Sequence, residues 1–454
     1  MNENMNIEKI SKNKIIKDMQ EFIRCKTVSN INKDYVDWKE FEKFKKLLFK
    51  LFPTVTKRAK FFEKGQTGLI FFLKGKESFI GENKKTARVL MAHYDVVPAN
   101  EAEWKKNPFS GEVKDGELWG RGTLDTKGTL LSIFEALEFM FQNNWQNEKD
   151  LYLCFSGDEE VNGESCPAIV KWFEENKIKV EFVLDEGGAI VDKSFPGVKE
   201  KCAMIGIAEK GSVNLNVELE KKGGHASTPP KNTAAGIISK ACSKIEKSSF
   251  KFQYTSAVSQ MIKTFSKHTS FGLKIILKNL WLFMPLFKLI TKLAGGEFYA
   301  MTHTTKAVTM LSGSDAFNVL PEKATMGINL RLLGKDTMDS AKKYIEKTCK
   351  NSNLKFEIVN GSNPSITSDT KCEQWFLLTD VIKETWSNVL VSPYLMMACS
   401  DSRHFCRITD KVYRFSGMYM SKEDRAMIHS KDERIKVETL FETVKFYFNL
   451  LKRM

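Results

Sequence analysis

His93 and Asp95 close an apolar run, Arg88–Ala92, in the stretch RVLMAHYDVVP. The run reads as a short buried strand, and in an extended segment residues i and i+2 point to the same side. The imidazole and the carboxylate therefore face one crevice. A carboxylate beside a histidine can hold one ring nitrogen and leave the other for a metal. Taken alone, the pair also reads as a surface histidine next to a turn aspartate.

Two further apolar runs end in acidic residues. Leu151–Phe155 leads to Ser156-Gly157-Asp158-Glu159-Glu160, and Val180–Leu184 leads to Asp185-Glu186-Gly187-Gly188. Between them and the first run lies WGRGTLDTKG, with Asp125 just before an apolar-periodic helix over about Lys127–Phe141. Its glycines match neither a Walker nor a dinucleotide pattern. Alternating strands and helices predict a largely parallel sheet flanked by helices. Such sheets place their crevice at the carboxyl ends of the strands, where His93, Asp95, Glu159, Glu160 and Asp185 would converge. A solvated acidic loop is the plainer reading of Glu159 and Glu160. Two imidazoles with three or four carboxylates suit a pair of divalent metals, zinc or alternatively cobalt or manganese.

From about Ala208 the pattern becomes β-α-β-β-α-β, the order of a ferredoxin-like domain, interrupted by an insertion over 248–305. After Pro364 the helix–strand pattern resumes and carries Asp401, Arg403, His404 and His429. The expected organisation is an α/β domain over 1–207 and 363–454, with a small domain inserted at 208–362.

The chain has 454 residues, enough for two domains. Its formal charge of +14 is spread along the sequence without a basic block, RNA signature or zinc finger, so a solvated basic surface is expected and no nucleic-acid partner. Nine cysteines without metal-finger spacing fit reduced thiols in a cytoplasmic protein. The stretch 271–294, FGLKIILKNLWLFMPLFKLITKLA, is broken by four lysines and Pro285. It reads as amphipathic rather than spanning. The run Leu280–Phe287 is expected to pack on the protein's own core, a partner subunit, a bilayer surface or a long acyl substrate.

The motifs MAHYDVVP, WGRGTLDTKG, SGDEEVNG, LDEGG, KGGHAS, FNVLPEKATMGINLR, CSDSRHF and IHSKDERI occur in this order. Together they resemble the aminoacylase/carboxypeptidase family of di-zinc metallopeptidases, which includes glutamate carboxypeptidase and succinyl-diaminopimelate desuccinylase. NLWLFMPL and VYRFSGMYM are most similar to its vacuolar carboxypeptidase S and N-acyl amino acid hydrolase branch. The resemblance implies a two-zinc hydrolase that cleaves an amide beside a free carboxylate, in a dipeptide or an N-acyl amino acid, by a metal-held hydroxide. It makes Asp125 the bridging ligand, with His93 and Asp185 on one metal and Glu160 and His429 on the other. Glu186 in place of Asp185 stays open. Glu159 becomes the general base and acid, and Asp95 the partner of His93. His225 becomes an oxyanion donor from the inserted domain, or a turn histidine packed locally. Asn318, Arg331 and Arg403 take substrate-contacting positions. Ser400, Cys399 and Ala398 depart from the family's usual threonine and glycines. The resemblance also makes the domain over 1–207 and 363–454 catalytic and the one inserted at 208–362 a lid or dimerisation domain. For Leu280–Phe287 it favours the long acyl substrate, as an acyl-binding wall near the site. Relatives also imply a homodimer. The non-enzymatic alternative is an inactive hydrolase fold that acts as a binding or membrane-surface protein, touching lipid through 271–294.

Overall fold

Strand Thr86–His93 is buried from Ala87 to its end, as expected of a parallel strand covered on both faces. It belongs to a computed structural model that describes residues 5–76 and 86–454. The strand pairs in parallel with Asp150–Ser156 on one side and Lys179–Asp185 on the other. The full sheet runs Lys60–Lys64, Gly68–Leu73, Asp150–Ser156, Thr86–His93, Lys179–Asp185, Val412–Arg414, Cys202–Glu209 and Leu390–Met396, with Ile190–Val191 paired onto Cys202–Glu209. Its four central strands are mutually parallel. His93, Ser156 and Asp185 consequently share one sheet edge.

Helices cover both faces. Lys12–Ile23 is capped by Ser11, whose Oγ accepts the Lys14 N–H at 3.2 Å, and Trp38–Leu51 is capped by Asp37. Their buried faces meet Lys127–Gln142 and Val437–Arg453 in an aromatic-rich core. Phe52 and Phe134 stack there at 4.9 Å, and Phe44 stacks on Tyr94 at 4.9 Å. The sequence reading passes over Cys202–Glu209, a fully paired strand of the large sheet that ends after the expected change of texture at Ala208.

Beyond Lys210 the chain builds a second, antiparallel sheet in the order Thr305–Ser312, Lys323–Leu332, Gly211–Glu220, Lys355–Ser362. Alternate residues of Gly211–Glu220 are buried, the period-2 pattern of a sheet covered on one face. Helices Ala234–Lys247 and Met338–Cys349 cover that face and complete a separate core. The chain returns to the large sheet after Ser362.

The insertion folds into helices Ser256–Phe265, Phe271–Lys278, Leu280–Ala294 and Gly296–Ala300. Pro285 lies inside the third. Among the described residues no helix is long and apolar enough to cross a membrane. Burial of the apolar run, however, is only partial. Leu280 is buried and Met284 and Phe287 touch the main core, whereas Trp281, Leu282 and Leu286 are exposed. A helix with apolar residues on every side has no way to bury them all against one neighbour.

Candidate metal centre

Asp125 is held between two imidazoles. His93 Nε2 lies 2.9 Å from its Oδ1, and His429 Nε2 lies 3.0 Å from its Oδ2. His429 Nε2 is also 3.0 Å from Glu160 Oε2. His93, Asp125 and Glu160 each offer one ligand atom within 4.8 Å of the others. One carboxylate with a different imidazole on each oxygen is the donor arrangement that bridges two metal ions.

Each donor is fixed from behind. His93 Nδ1 lies 3.0 Å from the Asp95 carbonyl and 3.3 Å from its carboxylate, so Nε2 is the nitrogen turned towards Asp125. The Asp95 carboxylate accepts the backbone N–H groups of Glu159 and Glu160 at 3.2 and 3.1 Å. Asp95 thus holds both the histidine and the tight turn Glu159–Val161. The loop carrying Asp125 is anchored by Glu433, fully buried, whose carboxylate accepts the N–H of Gly122 and of Leu124 and pairs with Arg121 at 2.9 Å. Asp185, buried at the end of its strand, accepts the Ser402 N–H at 3.0 Å. It stands outside the tight donor group of His93, Asp125 and Glu160.

The electrostatics call for cations. Burial pushes the Glu159 carboxyl well above its usual range, helped by Asp401, Glu160 and Asp95 and opposed by His93. Glu186 is driven up in the same way by burial and by Asp125, Asp185 and Glu159. Burial raises Asp401 to about 7 against the pull of Arg403. Hydrogen bonds that His429 donates to the Asp125 and Glu160 carboxylates lift it to about 10. So many carboxylates sharing one crevice repel one another. The O and N donor types fit zinc, cobalt or manganese.

The remaining expected residues are more scattered. Arg403 donates to the Ser400 carbonyl at 2.6 Å and to Asn162 at 3.1 Å, while its buried Nε has no partner among the described residues. Arg331, on the second sheet, reaches Cys399 Sγ at 3.6 Å. His225 and Asn318 are exposed on neighbouring strand ends of that second unit. The described hydrogen bonds of His225 go to Ser227 and not to the metal-side donors. Its Nδ1 accepts the Ser227 N–H at 3.1 Å, so Nε2 carries the proton in the neutral ring. His303 is buried and stacked on Tyr299, and His268 pairs with Glu200.

Sequence reasoning missed three supports: Glu433, Ser402 and the buried pair of Arg414 with Glu209. Glu209 also accepts the Ser400 hydroxyl at 2.7 Å and its N–H at 3.0 Å, which fixes the loop leading into Asp401 and Ser402. The available signal was a charge set into an apolar strand, Arg414 in VYRF and Glu209 closing CAMIGIAE.

A cavity of about 700 Å³ is lined by residues close in sequence to Asp185 and His429. It starts at Gly187, two residues beyond Asp185, and reaches Ile428, the neighbour of His429. Met204, Met420, Phe195 and Phe298 give it an apolar wall, with Arg425 also on its lining. The expected acyl-binding wall at 280–287 is not part of it. Those side chains lie on the outer helix instead.

Residues 89–453 match the model of peptidase family M20/M25/M40. The chain is 34% identical over 367 residues to the N-fatty-acyl-amino acid synthase/hydrolase PM20D1 of Xenopus tropicalis, covering 80% of this chain and 72% of that one. It is 31% identical over 420 residues to the probable carboxypeptidase S-like 2 of Dictyostelium discoideum, covering 91% and 79%. An M20 family metallo-carboxypeptidase from Sulfolobus solfataricus, Sso-CP2, shares the fold with a TM-score of 0.70 at 18% identity, over 96% of this chain and 98% of that one. The chain therefore belongs to the metallopeptidase family M20/M25/M40 and is an enzyme of the hydrolase class.

Proposed function

We propose that this protein is a two-zinc amidohydrolase of N-acyl amino acids that carry an aliphatic acyl group and a free carboxylate. The observation that carries the reading is the placement of one carboxylate, Asp125, between His93 and His429. His93 and Asp185 would hold one ion, Glu160 and His429 the other, and Asp125 both. Bound zinc supplies polarisation of the scissile carbonyl and a water acidified towards neutral pH.

Glu159 takes the proton of the attacking water and returns it to the leaving nitrogen. Its environment favours that role, because burial and neighbouring carboxylates raise its proton affinity. Asp95 keeps Glu159 and Glu160 in one turn, so base and ligand hold a fixed spacing. Arg403, with Nε unspent, is suited to a substrate carboxylate. Closure of the second unit would bring the Nε2–H of His225 towards the oxyanion.

The apolar cavity lined by Met204, Met420, Phe195 and Phe298 suits an acyl chain better than a peptide side chain. Its volume lies within the roughly 300–1,000 Å³ of ligand pockets, and its methionines adapt to an irregular aliphatic guest. The named Xenopus relative acts on N-fatty-acyl amino acids. Dipeptides are the second reading, since Sso-CP2 is a carboxypeptidase by name. An inactive binding protein fits less well, because Glu159 and the full donor set are present. The test is hydrolysis of N-acetyl and long-chain N-acyl amino acids and of dipeptides by protein loaded with zinc, manganese or cobalt. Turnover favouring long acyl chains is expected. Cleavage of dipeptides alone would move the assignment to a peptidase, and no turnover on any substrate would remove it.

A further inference from the structure

Helices Phe271–Lys278 and Leu280–Ala294 carry an apolar face that none of the described residues covers. Leu282, Leu286, Leu289 and Leu293 recur at helical spacing along one side of the second helix, and all four are exposed. Phe271, Trp281 and Leu293 are 79%, 78% and 76% exposed. The opposite side of the same helix is already used, with Leu280 and Thr291 buried and Met284 and Phe287 packed on the main core. Apolar surface this continuous is uncommon on a soluble protein without a partner.

The charge around it selects the occupant. Between Glu246 and Glu297 the chain has eight lysines and no carboxylate side chain. Lys274, Lys278, Lys288 and Lys292 lie on the two helices themselves, and none is ion-paired among the described residues. A second copy seated on this face would set lysine against lysine. An anionic surface would pair with them. An amphipathic helix with lysines flanking leucine and tryptophan lies in the headgroup plane, its apolar side sunk about 5–10 Å. At 15 residues the second helix is too short to span.

We propose that helices 271–294 dock this protein onto an anionic lipid bilayer, with Trp281 and the leucine stripe inserted and the lysines on the headgroups. The proposal does not depend on the catalytic reading.

The test is co-sedimentation of the full chain with vesicles of phosphatidylcholine, with and without phosphatidylserine. Binding is expected only with phosphatidylserine and should fall with salt. Leu282→Asp with Leu286→Asp should lower partitioning by at least about tenfold. Lys288→Glu should lower it by roughly fivefold or more. Met310→Asp, at an exposed apolar position of the second sheet, should change nothing. Brominated lipid should quench wild-type emission, and Trp281→Phe should remove that quenching, a readout independent of how the aspartate variants fold. Absence of vesicle binding, binding equal in the Leu282/Leu286 variant, or quenching unaltered by Trp281→Phe would each overturn the proposal. So would a dimer that the leucine substitutions dissociate, since this would seat a second copy on the face.

Discussion

The carboxylate of Glu433 accepts the backbone N–H of Leu124 at 2.8 Å, across 309 residues of sequence. The loop that carries Asp125 is therefore hung from the segment that carries His429, four positions before Glu433. The Asp125 loop and the His429 segment are joined through this one buried carboxylate.

Glu433→Ala should destabilise the protein by about 3–5 kcal/mol, because it leaves Arg121 buried without its counter-charge. Glu433→Gln keeps an acceptor and should cost less. Either variant should weaken zinc binding by roughly 10–100-fold, the scale for groups that orient ligands. Denaturant unfolding and a competitive zinc titration measure the two effects separately.

Asp95 supports His93 and the Glu159–Glu160 turn together. Asp95→Ala should weaken zinc binding by about 10–100-fold and lower kcat further than that loss explains at saturating zinc. Asp95→Asn retains one acceptor oxygen and should recover part of the affinity. An effect on affinity alone, with kcat unchanged once the sites are full, would mean that the turn holds Glu159 without Asp95.

His404 gives a pH signature. Burial and the neighbouring Arg403 and Arg407 push it down to about 3, and its Nε2 is buried without a partner among the described residues. Between an unfolded value near 6.5 and a folded value near 3, the unfolded chain binds a proton that the folded chain does not. Stability is therefore lost as pH falls through that window, by at most about 1.4 kcal/mol per pH unit. His404→Gln should flatten the difference in unfolding free energy between pH 7 and pH 4. Parallel curves for the two proteins would contradict this.

What could be read in the sequence was set by local pattern. Apolar runs ending in His93, Glu159-Glu160 and Asp185 located the strand ends and the side of the sheet on which they meet, because a parallel strand shows its burial in its own residues. Glu433 with Leu124 and Arg414 with Glu209 had no such trace, since their partners lie 309 and 205 residues away and only the folded backbone joins them. The run Leu280–Phe287 was visible as apolar, but hydrophobicity does not say which face a neighbour covers. His225 was placed by motif, and its distance from the donors depends on the position of one unit relative to the other, which no local signal carries.

Filling the cavity should separate acyl lengths. Met204→Trp should lower kcat/KM for long-chain N-acyl amino acids by roughly 10–200-fold, the range of apolar-pocket discrimination, and spare N-acetyl substrates. Equal losses on short and long chains would detach the cavity from the substrate.

The central claim is that Glu159 moves the proton while Glu160 holds metal, and zinc content measured alongside turnover in Glu159→Gln tests it most directly. The variant should retain as much zinc as the wild type, two ions per chain on the proposed reading, and lose at least the roughly 10²–10⁴-fold of a general acid–base group. A Glu159→Gln protein that lost zinc, or one that kept both ions and full turnover, would contradict the assignment.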